Sequence, residues 1–82
     1  MKYSVSFSST AGKEFEDLDK AIQEQILKKL EKLEDNPELG ECLSNMLKHR
    51  RRLHIGDYRV IYSIHGEQIV IGRVSHRKHV YE

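Results

Sequence analysis

A few basic and aromatic side chains recur in the last third of this sequence at spacings that suit one reaction. Arg59 stands in GDYRVIY, His54 five residues before it, and Arg77 and Tyr81 in the closing stretch HRKHVYE. Further cations lie around them: Arg50, Arg51 and Arg52 in the run HRRR from His49, and Lys78. Guanidiniums, an imidazole and a phenol hold anions and move protons. The set contains no paired carboxylates, no Gly-rich phosphate loop and no nucleophilic Ser or Cys beside a base. The substrate it suits is a polyanion. RNA fits, because its own 2′-OH becomes the nucleophile once a base takes its proton.

Such residues meet only if strands bring them together. Tyr58, Val60, Tyr62 and Ile64 alternate with Arg59, Ile61 and Ser63, so a strand over 58–64 turns its apolar set to a core and Arg59 to the opposite face. Arg51-Arg52-Leu53-His54-Ile55 reads as a preceding strand, with Arg52 and His54 two apart and pointing the same way. Gln68 to His76 reads as a third. Gly56-Asp57 and His65-Gly66 are the turns of a meander. Neighbouring strands lie ~4.8 Å apart, so Arg52, His54 and Arg59 can converge on one face, with Arg77 and Tyr81 following the last strand. Taken alone, an arginine at a strand start is as often a solvated strand end.

The first half supplies the other layer. YSVSFS, residues 3–8, alternates as a half-buried strand. Ser8, Ser9 or Thr10 can cap a helix. Ala11, Phe15, Leu18, Ile22, Ile26, Leu30 and Leu33 then recur at steps of three and four, an amphipathic stripe, with Glu24 and Lys28 as an i,i+4 pair on its wet face. Asn36-Pro37 ends it. One helix over 10–35 would be about 39 Å long, against a radius of gyration near ~12 Å for a chain of this size. The spacing therefore predicts a helical hairpin broken near 17–20, where Asp17 and Asp19 offer caps. Residues 37–48 read as irregular, anchored by Leu43, Met46 and Leu47. The expected fold is α+β over a single domain, 1–82: an N-terminal strand, a helical hairpin, then a three-stranded antiparallel meander, with the helices on one face of the sheet.

Charge is segregated along the chain. Residues 1–46 hold six Lys/Arg and ten Asp/Glu, whereas residues 47–82 hold eight and three, so a net +1 conceals an acidic half and a basic half. The basic half is a candidate polyanion surface. No apolar run approaches the ~18 residues of a membrane helix, the opening residues lack the apolar core of a signal peptide, and Cys42 is the single cysteine. A cytoplasmic protein with no membrane partner is expected. His76-x-x-His79 invites a metal, but residues three apart on a strand face opposite ways, and no second ligand pair accompanies them. No cofactor or metal is expected.

HRRRLHIGDYRVIYSI, followed by IVIGRVSHRKHVYE, resembles the RelE family of toxins within the RelE/ParE toxin–antitoxin superfamily. The likeness spans nearly the whole chain, and its ordered set of motifs is more specific than any one of them. It implies a ribosome-dependent, metal-independent endoribonuclease that cleaves mRNA in the A site and is silenced by a small RelB-like antitoxin encoded beside it. By position, Arg59 resembles the family's phosphate-binding arginine, Arg77 its second catalytic arginine, and Tyr81 the tyrosine that stacks on the substrate base or helps activate the 2′-OH. His54 is left as either acid or base, near neutral pH. Arg52 and His54 stand where well-studied members often carry lysines. Arg50, Arg51, Arg52 and Lys78 are the expected RNA-binding cations. Two alternatives are a ParE-like inhibitor of DNA gyrase, which binds without chemistry, and an inactive relative that only binds its antitoxin.

Overall fold

The computed structural model describes residues 3–43 and 50–76. Its elements are β1 (Ser4–Phe7), α1 (Ser9–Glu16), α2 (Lys20–Asp35), β2 (Glu41–Cys42), β3 (Arg50–Ile55), β4 (Tyr58–His65) and β5 (Gln68–His76). The strands form one sheet in the order β1-β5-β4-β3-β2.

The helix breaks where expected. Ser8 caps α1, its Oγ accepting from the Ala11 N–H at 3.1 Å and donating to Gly72 O at 3.2 Å, so one hydroxyl ties the helix start to β5. The end of α1 is held by Gln23, whose Nε2 donates to Phe15 O at 2.9 Å. Asp19 occupies the cap position of α2 without a side-chain bond, and α2 stops at Asn36, whose φ of −142° and ψ of 82° are extended, as a following proline demands. The largest extent of the molecule is 31 Å and its radius of gyration 11.8 Å. An unbroken helix of about 39 Å would overhang it.

Ala11 of α1 and Ile26, Leu30 and Leu33 of α2 pack on Leu53, Ile55, Val60, Tyr62, Ile69, Ile71 and Val74, with Val5, Phe7 and Phe15 at the margin. All of the sheet's contribution comes from one face. The two hairpins are two-residue turns, Gly56-Asp57 and Gly66-Glu67, each opened by a glycine at φ near +60°. Only the first central residue has positive φ, which is the type II′ pattern matched to strand twist.

Three features depart from the sequence reading. The second turn falls on Gly66-Glu67, one residue later than the expected His65-Gly66, and His65 belongs to β4. The sheet is mixed, because β1 pairs with β5 in parallel, Val5 opposite Ile69 and Phe7 opposite Ile71. The stretch read as irregular contains β2, antiparallel to β3 with Glu41 opposite Arg52. Two residues carry no period, and β2 is held instead by bonds from the core. Tyr62 Oη donates to Pro37 O at 2.8 Å and accepts from the Gly40 N–H at 2.9 Å, while Arg51 Nη1 donates to Gly40 O at 2.7 Å. Burial pushes the Tyr62 phenol above its ordinary value; the Gly40 bond and the Arg51 charge offset this only in part. An unfolded tyrosine ionises near pH 10. The folded protein holds this proton more tightly, so the contribution is complete below about pH 10 and is lost as pH rises through the folded value. Tyr62→Phe leaves the Gly40 N–H unpaired. It is expected to cost about 2 kcal/mol and roughly 10 °C in melting temperature, and to remove this part of the alkaline loss, as urea melts between pH 8 and 11 will read.

Candidate RNA-binding face

The face of the sheet away from the helices is set by β3 and β4. Val60 and Tyr62 point into the core, so Arg59, Ile61 and Ser63 point the other way. In the antiparallel register His54 stands opposite Arg59, Arg52 opposite Ile61, and Arg50 opposite Ser63. His54 and Arg59 are therefore direct neighbours, and Arg52 is a diagonal neighbour of Arg59, about 7–8 Å away across the strands. The convergence expected from the alternation is present for these residues.

The polar bookkeeping of this face is unbalanced. Arg52 Nη2 lies 3.2 Å from Glu41 Oε1, but the carboxylate is 68% exposed, so the pair contributes little. The Nε atoms of Arg52 and Arg59 are both shielded from solvent and have no acceptor among the described residues. Buried donors of folded proteins are nearly always paired, and two like charges on a cross-strand diagonal repel. An anion with several acceptor oxygens between the two guanidiniums offsets their repulsion and, once the side chains turn to bare the Nε atoms, supplies the missing acceptors; phosphate and carboxylate both match the arginine fork.

Arg51, on the same strand, is not brought to this face. Its parity is that of Leu53 and Ile55, and its guanidinium lies against the carbonyls of Gly40 and Glu38. It fastens β2. Arg77, Lys78 and Tyr81 lie outside the described residues, as does His79 of the histidine pair. The ring of His76 packs edge-on against Tyr58 at 5.0 Å.

One further cation stands on this face, which alternation along β5 does not reveal. Arg73 stands opposite Ile61, away from the core, because β5 carries an extra residue: Ile61 pairs with Arg73 but Tyr62 with Ile71. The bulge falls at Gly72. The signal was readable, since the buried positions of β5 step from Ile69 to Ile71 and then by three to Val74, and a glycine inside a strand often marks such a slip. Unlike Arg59, Arg73 is neutralised: its Nε and Nη2 both lie 2.9 Å from Glu14 Oε2, and the other oxygen of Glu14 accepts from the Val74 N–H at 2.7 Å. Glu14 thereby covers the edge of β5 beyond the end of β1.

Comparison with known proteins decides the lineage. A family model described as the ParE toxin of the type II toxin–antitoxin system parDE matches residues 5–81. The chain belongs to the RelE/ParE toxin superfamily. A RelE-like toxin protein of Escherichia coli is 38% identical over 77 residues, covering 92% of this chain and 81% of its own. Among solved structures, the RelBE2 toxin–antitoxin complex of Mycobacterium tuberculosis is 28% identical with a TM-score of 0.83, over 94% of this chain and 100% of the other. The archaeal RelE–RelB complex of Pyrococcus horikoshii is 26% identical with a TM-score of 0.75, over 98% and 100%. This RelE/ParE protein is thus the toxin of a type II toxin–antitoxin pair, with the RelE-like element order throughout its described residues. No helix among those residues is long and apolar enough to cross a membrane.

Proposed function

We propose that this toxin is a ribosome-dependent mRNA endoribonuclease acting in the A site. The observation that carries the reading is the gathering of Arg52, His54 and Arg59 on one face, with the Nε atoms of both arginines left without an acceptor among the described residues. In the proposed reaction a base takes the proton of the RNA 2′-OH and the 2′-oxygen attacks the adjacent phosphorus. The P–O5′ bond breaks and the 5′-oxygen leaves with a proton from an acid. The products are a 2′,3′-cyclic phosphate and a 5′-hydroxyl. Because the nucleophile comes from the substrate, the step needs no metal. Arg59 and Arg52, with Arg77, stabilise the charge that grows on the phosphoryl oxygens. His54 and Tyr81 are the proton-handling groups, and Tyr81 also offers a ring on which a base stacks. Arg50 and Lys78 add backbone contacts.

With so few acid–base groups, the ribosome is assigned the task of fixing substrate geometry, which contributes several kcal/mol. Programmed ribosomes, with mRNA ends mapped by primer extension, test this. Discrete cuts in the A-site codon are expected, with free mRNA cut far more slowly; equal rates on free mRNA would sink the ribosome's role. A gyrase supercoiling assay runs in parallel, because the matching family model carries the ParE description. Loss of supercoiling without cleavage would favour inhibition of gyrase by binding. The relatives crystallised with RelB support a small antitoxin encoded beside this gene, which silences the toxin by covering the arginine face or setting carboxylates upon it. Co-expression with the neighbouring small reading frame should restore growth and give a complex on pull-down.

A further inference from the structure

Beyond β2, no described strand pairs with the edge of β3. β2 pairs only with Arg51 and Arg52, and past them a groove of about 470 Å³ runs between β3 and α2. Lys28, Lys29 and Lys32 form one wall with Gln25, and His54 and Gly56 form the other. No carboxylate among the described residues lines it. The reason is legible in α2 at about 100° per residue. Lys28, Lys29 and Lys32 fall on one flank of the buried stripe of Ile26, Leu30 and Leu33, and Glu24, Glu31, Glu34 and Asp35 fall on the other. The ion pair expected between Glu24 and Lys28 is absent. Both are exposed to water, where such a pair is worth only tenths of a kcal/mol, and none of the three lysines joins the ion pairs of the described residues. Three unneutralised ammonium groups thus face one cleft, and His54 belongs both to this cleft and to the arginine face, where it stands opposite Arg59.

We propose that this groove is a second backbone track for the substrate RNA, which turns over the edge of β3 at His54 and lays its flanking phosphates along Lys28, Lys29 and Lys32. The inference rests on the RNA-cleaving reading and extends it: the arginine face grips the reacting phosphate, and the lysine groove grips the same strand a few nucleotides away. A groove lined by lysines without a stacking ring contacts phosphates and carries no base preference.

The test uses the full-length toxin and two 2′-O-methyl single-stranded RNAs, which lack the attacking hydroxyl: one of four nucleotides, confined to the arginine face, and one of twelve, able to reach the groove. Fluorescence anisotropy over a salt series should show the longer strand binding roughly tenfold tighter at low salt. Each lysine–phosphate contact adds about 0.7 to the slope of log affinity against log salt. The triple variant Lys28→Gln, Lys29→Gln, Lys32→Gln should therefore lose the length advantage and about 2 of that slope, with four-nucleotide binding and melting temperature unchanged. The corresponding triple arginine variant keeps the charge and should keep both. A glutamine variant that retains the length advantage overturns the groove alone. So does one that binds RNA normally but has lost its antitoxin, since the groove then serves an acidic protein. A wild-type protein that binds neither strand overturns the groove, and the cleavage assay on programmed ribosomes then decides the RNA reading separately.

Discussion

Arg59→Ala is expected to lower the rate of mRNA cleavage on programmed ribosomes by about 10²–10³-fold while moving the melting temperature little. The two halves have separate causes. In cleavage, negative charge accumulates on the phosphoryl oxygens, and a guanidinium already aimed at them needs no reorganisation. Removing it forfeits that preorganised stabilisation. In folding, Arg59 contributes no bond that is lost: its Nε has no acceptor among the described residues, and the guanidinium of Arg52 lies on its cross-strand diagonal. Taking away a charge placed among like charges relieves repulsion, and this offsets the packing lost with the side-chain stem. Stability should stay within about 0.5 kcal/mol of the wild type. Arg59→Lys should recover only part of the rate, because an ammonium is a point charge and not a fork. Arg52→Ala should cost less, since Glu41 already holds one Arg52 nitrogen at 3.2 Å, and Glu41→Gln should tighten RNA binding by freeing it. A variant lacking Arg59 that cuts at the wild-type rate would remove this residue from the reaction, whatever its stability.

The parts of this fold that repeat were the parts the sequence displayed. The core face of β4 follows from strict alternation over Tyr58–Ile64, and with it the placement of Arg59. The break between α1 and α2 follows from length against girth. What stayed hidden depends on single long-range contacts. β2 has two residues and no pattern, and exists because a tyrosine 22 positions from Gly40 reaches over to bond it. The parallel pairing of β1 joins strands from opposite ends of the chain, about which local periodicity is silent. Arg73 was assigned to no face, because the bulge at Gly72 shifts the phase of β5 after Ile71. Arg51 was grouped with its neighbours in HRRR, yet consecutive strand residues point to opposite faces. Alternation alone could have separated it from Arg50 and Arg52.

Gly40→Ala is the substitution expected to disturb both stability and the arginine face. Gly40 is buried, and a Cβ placed on it would lie 2.7 Å from the carbonyl oxygen of Arg52 and 2.9 Å from the Tyr62 hydroxyl. The first contact is with backbone and cannot swing aside. Relief therefore requires β2 to move off β3. That movement breaks the bonds from Tyr62 to Gly40 N and Pro37 O and the bond from Arg51 to Gly40 O, and draws Glu41 away from Arg52. Each buried bond left unmade costs about 1–3 kcal/mol, so a total near 3 kcal/mol is expected, or roughly 15 °C in melting temperature. The cost is shared with Tyr62. In a Tyr62→Phe background the hydroxyl and its bonds are already gone, so Gly40→Ala should cost at least about 1 kcal/mol less than in the wild type, the non-additivity of residues in one network. The remainder is the clash with Arg52 O and the lost bond from Arg51 to Gly40 O, which no change at residue 62 relieves. If the two substitutions add in urea melts, the Tyr62 latch does not hold β2 and another contact must. If Gly40→Ala is silent on its own, the close approach of β2 to β3 is not a feature of the folded toxin.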